Sequence, residues 1–113
     1  MSEHEWVEGF PGAVTVCDDQ GKIIEMNAKA VEAFAADGGA QLIGRNVLDC
    51  HPEPARTKLK GFMDNRQTNI YTIDKGGVRK LICQAPWYRH SEYAGFAELS
   101  FEVPRNIPNF KRD

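Results

Sequence analysis

The sequence is poor in most features that would assign it a chemistry at once. No run of 18 apolar residues occurs, which excludes a transmembrane helix. Lys and Arg number 14 against 16 Asp and Glu, and this near balance leaves no basic footprint for direct nucleic-acid binding. The three cysteines, Cys17, Cys50 and Cys83, are odd in number, widely spaced and free of any CxxC pair. They supply neither a disulfide framework nor a zinc site, and they suit the reduced thiols of a cytoplasmic protein. The opening MSEHEWVEGF is acidic and lacks the basic start and apolar core of a signal peptide. Internal repeats, low-complexity tracts and long charge blocks are absent as well.

What is present is an ordinary globular composition, 42% apolar and 27% charged over 113 residues. A chain of this size folds as one domain without metal or disulfide staples. The β-branched stretch AVTVCD at 13–18 and KIIEM at 22–26 read as a hairpin, joined through the turn chemistry of Asp18-Asp19-Gln20-Gly21. Asn27 is a strong helix N-cap, and the helix formers behind it place Ala30 and Phe34 on one face before Asp37-Gly38-Gly39 ends the run. After an irregular stretch, Pro54 suits the first turn of a helix over 54–65 with Leu59, Phe62 and Met63 as its apolar stripe.

Three more strands close the chain. Residues 69–75 run into Gly76-Gly77, a pair that favours a tight hairpin turn, and 79–88 follow. A polar turn around His90-Ser91-Glu92 leads to 93–103, where Gly95, Ala97, Leu99, Phe101 and Val103 alternate with Phe96, Glu98, Ser100 and Glu102. This period of two puts one face on a core and the other mostly in solvent. The expected architecture is α+β: a five-stranded antiparallel sheet with short helices on one face.

Gly21-x-Ile23-x-x-x-Asn27-x-x-Ala30-x-x-x-Phe34, Leu42-Ile43-Gly44-Arg45, the Gly76-Gly77 pair and Gly95-Phe96-Ala97-Glu98-Leu99 occur in an order and spacing that resemble the PAS sensor domain. The resemblance covers residues 10–103, leaving 1–9 as an N-terminal flank and 104–113 as a tail. It implies a sheet curled around a small cavity walled by helices, and a role in sensing, signal relay or dimerisation without catalysis. One fold hosts many ligands, so the ligand itself stays unassigned. Blue-light flavin (LOV) relatives carry Gly-Arg-Asn-Cys, whose thiol bonds the flavin. Here the run is Gly44-Arg45-Asn46-Val47, and valine has no nucleophile. The haem-binding oxygen sensors of rhizobia are resembled through Pro52-Glu53-Pro54-Ala55-Arg56, but the stretch that should bring their axial histidine reads Thr57-Lys58-Leu59-Lys60. Neither the flavin adduct nor that haem ligation is supported.

The resemblance places Asn27, Phe34, Cys50, His51, Leu59, Met63, Cys83 and Leu99 in the cavity wall as candidate ligand contacts. If His51 turns inward it is the best single candidate for a responsive group, because histidine is the side-chain type that changes charge near neutral pH. Cys50-His51 reads alternatively as a small buried thiol beside a loop-capping imidazole, and a divergent haem site on His51 is a further alternative. His4 and His90 fall too far from His51 in the chain to complete a metal site. No catalytic residue is assigned, because Asp18, Asp19, Asp64 and Asp74 sit at turns and element ends.

Trp6, Val7 and Phe10 form a short amphipathic stripe ahead of the first strand, and in this family such helices often pack between protomers. Pro86 must sit at an edge or bulge, sending Trp87 and Tyr88 to opposite faces. Trp6, Phe10, Trp87 and Tyr88 are therefore the candidate partner contacts. The expected state is a homodimer acting in signal transduction or regulation of transcription, with a separate histidine kinase or transcription regulator as the possible recipient. The alternative is a ligand-free docking module. Pro104 obstructs a continuous helical transmitter, and the tail has too few basic residues to hold a membrane. With short flanks, the signal is expected to leave through a surface contact.

Overall fold

Turn chemistry decides where the strands of this protein begin and end. The computed structural model describes residues 5–113; the part of the N-terminal flank holding His4 lies outside them. Strand β1 (Ala13–Asp18) turns into β2 (Ile23–Met26) because the Asp18 Oδ1 accepts the backbone N–H groups of Gln20 and Lys22, both at 2.9 Å. Gly21 takes a left-handed φ of 82° there, a conformation open to glycine at little cost. The expected second strand starts one residue late, since Lys22 bridges to Asn46 instead.

The helical block begins at helix α2 (Ala28–Ala33), capped by Asn27, and proceeds through short 3-10 turns at Ala35–Asp37, Gly39–Leu42 and Val47–Cys50 to α3 (Ala55–Asn65). Ahead of all these lies a short helix α1 (Glu5–Gly9). Strands β3 (Asn69–Lys75), β4 (Val78–Arg89) and β5 (Glu92–Val103) complete the sheet. Gly76 and Gly77, at φ 61° and 79°, make the two-residue hairpin turn whose twist matches the flanking strands. His90 and Ser91 make the second with φ of 51° and 68°.

The five strands are all antiparallel and run in the order β2-β1-β5-β4-β3. The helical block crosses from one edge of the sheet to the other over a single face. Its first loop also seals the β2 edge. Gly44 N–H donates to the Ile23 carbonyl at 2.7 Å, and Ile23 N–H to the Arg45 carbonyl at 2.9 Å. That pairing removes one of the two exposed edges on which sheets otherwise associate. Cys17, Ile23, Met26, Ala30 and Leu42 form the buried core between this end of the sheet and α2, with Phe34 packed against them.

Register determines what each face carries, because residues opposite one another in paired strands share a face. One row runs Met26, Thr15, Glu98, Gln84, Asn69 across all five strands and faces the helices. The next row, Val14, Leu99, Cys83, Ile70, faces away from them. Pro86 sits where β3 has already ended, so β4 is locally an edge strand, and a bulge follows between Trp87 and Tyr88. Opposite that bulge, Gly95 lies against the Cys17 carbonyl and the Trp87 indole, and a Cβ there would overlap both. The indole N–H donates to the same carbonyl at 2.9 Å.

Asn27 joins these parts. Its Oδ1 accepts the backbone N–H of Ala30 at 3.0 Å, capping α2, and that of Val14 at 2.9 Å on β1. Its Nδ2 donates to the carbonyls of Val7 at 2.9 Å and Gly12 at 2.8 Å, which ties α1 to the domain. Only 1% of the residue is exposed. Asn27→Ala orphans the N–H groups of Val14 and Ala30 and the Gly12 carbonyl, while the Val7 carbonyl keeps the Phe10 N–H; a buried group left unsatisfied costs about 1–3 kcal/mol. Urea unfolding is expected to show a loss of about 3 kcal/mol or more, against a total of roughly 5–15 for a domain of this kind. A loss below about 1 kcal/mol contradicts the role given to this side chain.

Candidate functional site

The concave face of the sheet and the helical block enclose a cavity of about 80 Å³. Its helical wall is built in sequence order. Phe34 comes from the C-cap of α2, Cys50 and His51 from the end of the last 3-10 turn, and Leu59 and Met63 from successive turns of α3. These five are brought together as their positions suggested. His51 does two things at once: its ring lines the cavity while Nδ1 lies 2.9 Å from the Val47 carbonyl. A carbonyl only accepts, so Nδ1 carries the proton and Nε2 of the neutral ring is left as an acceptor.

Three expected cavity residues are elsewhere. Asn27 is buried beneath the wall with its amide wholly engaged by backbone. Cys83 and Leu99 are direct cross-strand partners on the outer face of the sheet, pointing away from the cavity. Apolarity misled there: the odd positions of β5 are its more apolar set, yet the even set faces the helices.

The sheet side of the cavity is therefore more polar than its sequence suggested. Thr15, Gln84, Phe96 and Glu98 line it. Asn69 Nδ2 donates to Gln84 Oε1 at 3.0 Å, and Gln84 Nε2 donates to Glu98 Oε2 at 2.8 Å, a relay across β3, β4 and β5. Polar residues at matched register in three strands are the signal that would have revealed this row, but register is not visible in one sequence. Burial, with Glu98 as a contributing charge, raises two neighbouring groups. Burial pushes the Cys17 thiol up to about 12, and the charges of Asp18 and Glu98 add to that. The Tyr71 phenol is raised in the same way, first by burial and then by Glu98. Cys50 is exposed, its Sγ 3.7 Å from the Asn46 carbonyl, and its thiol is raised mainly by desolvation, against the lowering effect of Arg45. Among the described residues no three His, Cys, Asp or Glu side chains converge as a metal site.

The partner candidates divide between the two sides. Trp6 stacks edge-on against Phe10 at 6.5 Å and is 71% exposed. The Phe10 ring and Phe101 close over Gly12 on the outer side. Trp87 shares the outer face with Gly95. Tyr88, beyond the bulge, packs edge-on against Tyr93 at 6.3 Å, and the Arg66 guanidinium at the end of α3 lies 4.5 Å over the Tyr93 ring.

A family model described as PAS fold matches residues 7–67. Curated protein sequences provide no match. Solved structures do. A C-terminal domain from Streptococcus mutans superposes with a TM-score of 0.71 at 18% identity, covering 86% of this chain and 79% of that one. The Aer2 receptor from Vibrio cholerae, a dual PAS-haem oxygen sensor, gives 0.62 at 20% identity over 87% of this chain and 99% of its own. The PAS domain of histidine kinase ThkA gives 0.62 at 19% over 80% and 97%. At such identities the likeness is one of fold.

The thiols provide a direct check on the cavity geometry. At pH 8 a thiol of pKa about 12 is ionised in only about one molecule in 10⁴. Iodoacetamide followed by peptide mass mapping is expected to modify Cys50 in the native protein and leave Cys17 untouched until denaturant is added. Labelling of Cys17 as fast as Cys50 contradicts the buried position of β1.

Proposed function

Since the chain belongs to the PAS-fold family, we propose that it is a non-enzymatic sensory and protein-interaction module that signals through the outer face of its sheet. One observation carries this reading: that face is apolar where a solvated one would be polar. Val14, Leu99, Cys83 and Ile70 form one row, and Val16, Ala97 and Ala85 the next. Leu81 and Phe101 pair beside them. Ile70 is 60% exposed on the open β3 edge, and Phe10 and Trp87 extend the patch at its ends. A contiguous apolar face of this kind marks an association surface. A second copy of the chain is the occupant proposed, with a separate histidine kinase or transcription regulator as the downstream recipient. Three free cysteines favour the cytoplasm; no described helix is long and apolar enough to cross a membrane.

The cavity is the sensing site in this reading. Strands β4 and β5 carry both faces, so Gln84 and Glu98 inside adjoin Cys83 and Leu99 outside. A ligand that binds one packing of the sheet more tightly than another shifts the population and with it the outer face. Cofactors of haem or flavin size do not fit. Their sites occupy roughly 300–1,000 Å³, against about 80 Å³ here. Val47 lines the cavity where a flavin-bonding thiol would be needed, and His51 offers its ring to a space that cannot admit a porphyrin. A catalytic reading has little support, since Asp18 holds a turn while Asp64 and Asp74 pair with Lys60 and Arg79 at 2.7 and 2.9 Å.

Sedimentation velocity tests the interface. The wild-type protein is expected to dimerise, and Leu99→Glu to weaken the dimer by about a hundredfold or more, since burying an unpaired charge costs about 3 kcal/mol or more. A wild type that stays monomeric to about 1 mM, or a variant that dimerises equally well, overturns the proposal.

A further inference from the structure

We propose that the cavity binds a small organic cation, a short alkylammonium, with its charged group held between the Glu98 carboxylate and the Thr15 hydroxyl. This rests on the reading of the cavity as the sensing site and adds the chemical class of what it senses.

Three observations converge. The first is charge. Glu98 lines the cavity with Oε2 engaged by Gln84, while no Lys or Arg side chain lines the cavity or pairs with Glu98 among the described residues. This half-buried carboxylate has one neutral donor, and Asp37 is a second acidic residue in the lining, so the cavity lacks a balancing positive charge and a cation is its complement.

The second is Thr15. It is 8% exposed, lines the cavity beside Glu98 in the register of β1 and β5, and its hydroxyl has no hydrogen-bond partner among the described residues. No buried side-chain oxygen or nitrogen among the described residues lacks a partner, so this hydroxyl is one that opens on the cavity and is available to a guest. His51 also lines the cavity, with its Nδ1 2.9 Å from the Val47 carbonyl. The carboxylate and the hydroxyl both accept, and an ammonium group brings three donors.

The third is size and lining. The cavity, about 80 Å³, is near half of the roughly 150 Å³ that accommodates benzene, which leaves space for about three or four heavy atoms. Ile23, Met26, Phe34 and Phe96 supply an apolar end for the alkyl group. A neutral alcohol of that size would satisfy Thr15 and leave the Glu98 charge unmet. A carboxylate would be repelled by it.

The test is a titration of the wild-type protein with ethylammonium, followed by ¹⁵N–¹H correlation spectra at constant ionic strength, with ethanol and acetate as neutral and anionic controls. Ligands this small bind no tighter than about 0.1 mM, so the titration extends to about 50 mM. The expected result is saturable shifts at Thr15, Gln84 and Glu98 for ethylammonium alone. Glu98→Gln and Thr15→Val, both near-isosteric, should weaken binding about tenfold or more, and Thr15→Ser should restore it. Equal binding of ethanol or acetate, or equal affinity in Glu98→Gln, overturns the cation assignment and leaves a sensing cavity. If no probe shifts these residues while Leu99→Glu still dissociates the dimer, both the assignment and the sensing role fall and the docking role stands.

Discussion

Everything in this fold is hung on one buried amide. Asn27 follows β2 directly, and its side chain must serve α2, β1 and the segment leading from α1 at the same time. An amide is the one side chain of that length with both an acceptor and a double donor. Aspartate would set a negative oxygen against two carbonyls, and leucine would satisfy nothing. The fixed path of α2 then sets where the loop over residues 42–47 can close on the β2 edge, and that closure positions Val47 to His51 over the sheet. The cavity is thus a consequence of how the chain leaves β2.

Local chemistry was legible in the sequence wherever one residue controls one backbone event. The Asp18 turn, the Asn27 cap, the Gly76-Gly77 hairpin and the extent of α3 all follow from short-range rules, and the structure places each within a residue or so. What was not legible is anything decided by register. Cys83 and Leu99 looked like core because they are apolar, and the set of β5 that holds Glu98 looked like the solvated one. A shift of one residue exchanges the faces of a strand, and only pairing with β1 and β3 decides between them. Asn27 was misjudged for another reason. Its capping role was plain, but its bonds to Val7, Gly12 and Val14 join segments 13 to 20 residues away.

A sheet that is apolar on its outer face and carries one polar row inside connects the two halves of the functional account. The inner face covers a core through Cys17, Ile82 and Phe96 and adds one polar row, while the outer face lacks the polar residues of a solvated one. The inside row is hydrogen-bonded in sequence from Asn69 to Glu98, so it is stiff, and it ends at an open hydroxyl. The outside face is supplied by the same strands one residue along. Any guest that draws β1 toward β5 at Thr15 and Glu98 therefore acts one residue away from Val14 and Leu99, with no intermediate machinery required.

The account stands or falls on whether the outer face is covered in solution. Methyl-resolved spectra with a soluble paramagnetic agent report this directly for Val14, Leu81 and Leu99. At high protein concentration these methyls should be shielded, and dilution should expose them while those of Ile23 and Leu42 stay buried. Full exposure of Val14, Leu81 and Leu99 at every concentration, or shielding that appears on another surface, would contradict the account.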